Sequence, residues 1–89
     1  MVDLDKYVFE IHRRDRIKFR KTLRGGRTAA TARYGTVSYI RHAIVFWVDG
    51  KPSGGSFSEW DVSGIARVQD VERVNGKIFV YDERADYTC

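Results

Sequence analysis

Residues 16–34 read RIKFRKTLRGGRTAATARY. Ile17, Phe19 and Leu23 alternate with charged residues, the period-2 pattern of a half-buried strand. Gly25-Gly26 follows, and two glycines accept the positive φ that a two-residue hairpin turn requires. Residues 28–34 then return as the second arm. Ending at Gly35 they also fit a short helix with a glycine stop, but two threonines and the turn before them favour the strand. A two-residue turn sets the register. Arg24 faces Arg27, Arg20 faces Thr31 and Lys18 faces Arg33. Lys18, Arg20, Arg24, Arg27 and Arg33 then share one face. Ile17, Phe19, Leu23, Ala30, Ala32 and Tyr34 form the other, broken only by Lys21.

The flanking segments repeat the strand signal. Residues 6–12 (KYVFEIH) alternate, with Tyr7, Phe9 and Ile11 on one side and Val8, Glu10 and His12 on the other. Residues 36–40 and 43–48 form a second hairpin around Arg41-His42, and AIVFWV at 43–48 reads as a central strand, apolar on both faces. Residues 49–56 (DGKPSGGS) are a loop, and residues 57–60 resume a short strand. Residues 61–64 read as a one-turn connector to a bulged strand. A helix capped by Asp61 and stopped at Gly76 is the alternative for residues 62–74. Asn75-Gly76 is the strongest short hairpin signal, and residues 77–82 return from it.

Composition supports the same class. Ten Val, six Ile and 12 aromatics stand against two Leu and one Met. Branched and aromatic side chains suit a pleated, half-buried surface. With 89 residues the chain is expected to form one domain. The expectation is an all-β, mainly antiparallel fold of five to seven short strands, closed or nearly closed, with room for one short helix or helical turn. Residues 35–40 (GTVSYI), 43–50 (AIVFWVDG) and 57–65 (FSEWDVSGI) together resemble the SH3-like small barrels of the Tudor, Sm and KOW type. That resemblance implies a binding module that uses loops and one sheet face for RNA, DNA or peptides.

Charge is unevenly spread. Residues 1–42 hold 11 Lys+Arg and four Asp+Glu; residues 43–89 hold five and eight. In the expected hairpin, Arg24/Arg27 and Lys18/Arg33 are like-charged cross-strand pairs, each costing a few tenths to about 1 kcal/mol. A polyanion relieves that repulsion and releases counterions. Arg41 and His42 at the next turn extend the surface. The expected nucleic-acid-binding set is therefore Lys18, Arg20, Arg24, Arg27, Arg33, Arg41 and His42. Basic surface strands also serve solubility and edge protection.

Other chemistry lacks its residues. Two histidines and one cysteine have no metal-ligand spacing, and Gly54-Gly55 lacks the Lys-Ser/Thr of a phosphate loop. No cofactor is expected. Trp47 reads as core, and Trp60 as an interface or core-lid residue, with core favoured. The longest apolar run is six residues, so no membrane span is expected. Asp3 and Asp5 do not suit a signal peptide, and the lone Cys89 suits a reducing cytoplasm. The leading expectation is a non-enzymatic module that docks RNA or DNA with little sequence preference. The alternative is a protein–protein module or inhibitor, phage- or mobile-element-encoded, that binds an acidic partner. A third is a small metal-independent ribonuclease using Glu10, His12 and His42 with Arg13, Arg14 and Arg41. The acidic cluster Asp70, Glu72, Asp82, Glu83 and Asp86 allows head-to-tail association with the basic face of another copy.

Overall fold

Alternating β-branched and aromatic residues build seven strands in the computed structural model, which describes residues 4–50 and 62–88. They are β1 (Tyr7–Val8), β2 (Arg16–Phe19), β3 (Arg33–Arg41), β4 (Ile44–Val48), β5 (Gly64–Arg67), β6 (Val71–Val74) and β7 (Lys77–Phe79). Short 3-10 turns lie at Leu4–Lys6, Arg24–Gly26 and Val68–Asp70. The fold is all-β, as the composition requires. None of the described residues forms an α-helix or a helix that could cross a membrane.

The strands form one sheet in the order β1-β7-β6-β2-β3-β4-β5. β1 runs parallel to β7, and every other pair is antiparallel. β1 and β5 are the two edges, so the sheet is barrel-like but not closed. A single sheet without a second layer shields an apolar face only by curling around it. Ile17, Phe19, Val37, Ile40, Val45, Trp47 and Phe79 supply that interior, with Ile11 and Tyr87 covering it from the chain's two end segments.

Trp47 sits at the tightest point of this core. Gly64 is its cross-strand partner. A Cβ at Gly64 would lie 2.7 Å from Trp47 Cζ2, and one at Gly35 would lie 3.0 Å from the same side chain. Side chains are excluded there by space. The core role expected of Trp47 holds, and its ring lies 5.3 Å from that of Phe19.

Several local expectations are corrected. β1 stops at Val8, so Phe9 is 58% exposed while Ile11 is buried; the two do not share a face. The β3–β4 turn is His42-Ala43, with φ of 52° and 59°, one residue later than read. Residues 44–48 of that apolar run form β4 next to the edge strand, and β2 is the central strand. Residues 62–63 lead into β5, and residues 64–74 are strand, one 3-10 turn and strand, not a helix. The Asn75-Gly76 turn holds, with both residues at positive φ and Val74 facing Lys77. The loop and strand expected from residue 51 to 60, Trp60 among them, lie outside the described residues.

The largest correction is in the β2–β3 hairpin. Its tip is a three-residue loop, Arg24–Gly26, with Gly25 and Gly26 both at φ 83°. Leu23 N–H donates to the Arg27 carbonyl, and Thr22 bridges Thr28. Two residues (20 and 21) then separate Thr22 from β2, while four (29–32) separate Thr28 from β3. The irregular arm absorbs the difference and sets Lys18 opposite Tyr34 and Phe19 opposite Arg33. A one-residue slip reverses which face a side chain occupies. Arg33 accordingly turns to the Phe19 side, where its guanidinium lies 5.5 Å from the Trp47 ring centre.

Candidate nucleic-acid interface

The seven cations read from the sequence do not form one surface. Lys18 lies mid-sheet on the outer face. Its ammonium is 3.9 Å from Glu72, and Arg20 Nε is 3.0 Å from the same carboxylate, close enough for an ion pair. Glu72 belongs to β6, which pairs with β2 on the side away from β3. Glu72 therefore neutralises Lys18 and Arg20, and the expected Lys18/Arg33 repulsion does not arise because Tyr34, not Arg33, faces Lys18. Arg24 and Arg27 stand at the hairpin tip. Arg33, itself exposed, lies on the Phe19 side with its guanidinium over the Trp47 ring. Arg41 lies 5.4 Å from the Tyr39 ring centre, and Tyr39 stacks on Phe46 at 4.3 Å. His42 occupies the β3–β4 turn. The nine residues of β3, Arg33 to Arg41, span up to about 26 Å of extended strand, so the two hairpin tips flank β3 at opposite ends.

A different group assembles on the outer face. β6, β2 and β3 align Arg73, Lys18 and Tyr34 in one cross-strand row. Directly paired side chains share a face about 5 Å apart. Arg16 precedes Lys18 by two residues and joins them. Arg16, Lys18, Tyr34, Arg73 and Gly76 line a hollow of about 300 Å³, and Tyr34 is 54% exposed.

The partners of these cations matter more than their number. Arg16 Nη1 donates to Thr36 Oγ1 at 3.1 Å and to the Asp49 carbonyl at 2.8 Å. Arg73 Nη1 donates to the Gly76 carbonyl at 3.1 Å. All three acceptors are neutral. They orient the guanidinium groups, and among the described residues no carboxylate pairs with either. Glu72 is already divided between Lys18 and Arg20.

Sequence reading missed Arg16 and Arg73. Arg16 was reachable, because it shares the parity of Lys18 on the same strand. Arg73 was not: only the pairing of β6 with β2, across more than 50 residues, brings it alongside Lys18.

Glu10 and His12 do meet, with Glu10 Oε2 3.3 Å from His12 Nε2. His42 makes no hydrogen bond or ion pair with either. Among the described residues no group of His, Cys, Asp and Glu side chains is arranged to hold a metal ion. Comparison with protein-family models, with curated proteins and with solved structures found no match. The likeness to small SH3-like barrels thus rests on strand pattern alone.

Proposed function

We propose that this protein is a non-enzymatic binding module for single-stranded nucleic acid, and that the ligand lies on the outer face of β6, β2 and β3. One observation carries the reading. Arg16, Lys18 and Arg73 surround an exposed Tyr34, and among the described residues both arginines are held by neutral acceptors alone. Phosphates neutralise such cations with release of counterions. The planar guanidinium suits phosphate oxygens better than an ammonium does. An exposed aromatic ring beside them offers a base a stacking surface, worth about 1–3 kcal/mol per base. Backbone contacts position a strand without reading its sequence, so base preference is low.

Anisotropy of a labelled single-stranded RNA or DNA oligonucleotide tests this. Lys18→Gln with Arg73→Gln abolishes most of the binding at low salt, and Tyr34→Ala weakens it. Arg24→Gln with Arg27→Gln, at the hairpin tip, leaves it nearly unchanged. Full binding by the Lys18/Arg73 variant refutes the assignment.

A further inference from the structure

The hairpin tip and the segment before β2 remain without a role, and they are complementary. At the tip, Leu23 is 47% exposed and flanked by Lys21, Arg24 and Arg27. No carboxylate among the described residues pairs with any of these three cations. The tip is a basic knob around one exposed aliphatic side chain.

At the other end of β2, Phe9 stands between two adjoining hollows of about 430 and 190 Å³. Phe9, Glu10 and His12 line both; Asp15 completes the first and Asp86 the second. Neither lining contains a Lys or Arg. Asp15 is spent on local structure, since its Oδ2 accepts from His12 N–H at 2.7 Å and its Oδ1 accepts from Asn75 Nδ2 at 3.0 Å. Glu10 is 78% exposed at its side chain, and among the described residues its ion-pair contact is with the neighbouring His12. The hollow is thus acidic, apolar at its centre and open to solvent.

We propose that this chain associates head to tail, the Leu23–Arg27 tip of one copy seating against Phe9 and Glu10 of the next. Charge complementarity selects a second copy as the occupant, because the chain carries both halves. An exposed apolar side chain at each half supplies the contact that ion pairing alone does not. The halves lie at opposite ends of β2, so one copy does not satisfy both in itself. The interface is heterologous, and repeated use builds an open chain. Few residues take part, which places the contact among small, transient, salt-sensitive interfaces.

Two one-ended variants test this on nuclease-treated protein. The tip variant carries Leu23→Ser, Arg24→Glu and Arg27→Glu; the hollow variant carries Phe9→Ser and Glu10→Lys. Sedimentation of the wild type from about 10 to about 500 µM, a range suited to weak association, shows a mean mass rising past that of a dimer. Each variant alone stays monomeric. An equimolar mixture forms one-to-one pairs and stops there, since only one intact tip and one intact hollow remain. Far-UV circular dichroism checks folding. If either variant unfolds, Arg24→Gln with Arg27→Gln and the single Glu10→Gln are the substitutes, each weakening association at least about threefold. A wild type that stays monomeric, a variant that associates like the wild type, or a mixture that stays monomeric each overturns the proposal.

Discussion

Gly64→Ala tests the placement of β5 against β4 with a single methyl group. In a strand, alanine in place of glycine ordinarily gains about 0.5–1 kcal/mol, because the unfolded chain has less freedom to lose. Here the added Cβ meets Trp47 Cζ2 at 2.7 Å, Cε2 at 3.1 Å and Cη2 at 3.3 Å. All three belong to a rigid, buried indole that cannot swing aside. Overpacking of this kind costs about 1–3 kcal/mol and outweighs the gain, leaving a net loss of about 0.5–2 kcal/mol. For a domain of this size that lowers Tm by roughly 3–12 °C. The assay is urea and thermal unfolding followed by far-UV circular dichroism in a double-mutant cycle with Trp47→Phe. Phenylalanine removes the outer ring that blocks the new methyl. In that background Gly64→Ala is neutral or stabilising, and the coupling between the two sites is about 1–3 kcal/mol. A stabilising Gly64→Ala in the wild-type background, or the same cost in both backgrounds, refutes the packing of Trp47 against β5.

Three further outcomes are expected. If three phosphates of a single strand are neutralised, log affinity falls with log salt at a slope of about −2, close to a twentyfold loss between about 50 and 200 mM. Removing Arg73 reduces that slope by about 0.7, and an unchanged slope in a salt titration contradicts the contact. Glu72→Gln releases Lys18 and Arg20 for the ligand, strengthening oligonucleotide binding about two- to fivefold with a stability change under about 1 kcal/mol; weaker binding in the same anisotropy assay argues against the site. Asn75→Ala loses the bonds to Arg16 N–H at 2.9 Å and to Asp15 at 3.0 Å as well as a favoured left-handed residue. It lowers stability by about 2 kcal/mol, and Asn75→Gly, which keeps only the backbone freedom, lowers it by about 1 kcal/mol, as measured by urea unfolding.

What could be read from residue order was whatever local chemistry dictates. Ten valines, six isoleucines and 12 aromatics against two leucines impose strand over helix, because branched and aromatic side chains fit a pleat. Asn75-Gly76 makes its turn because both residues tolerate positive φ. Trp47 is core because the run around it has no polar face to offer solvent. Register is another matter. Gly25-Gly26 serves a three-residue loop as readily as a two-residue one, and β2 and β3 are offset again by the unequal arms between tip and ladder. That changed parity turned Arg33 from the outer surface onto Trp47. The counter-charge on Glu72 and the third cation, Arg73, came from β6, whose pairing with β2 leaves no trace in either segment. Composition and turn chemistry act over a few neighbouring residues and so decided the class of fold. Which side chains meet depends on contacts between distant strands, and only the assembled sheet decided that.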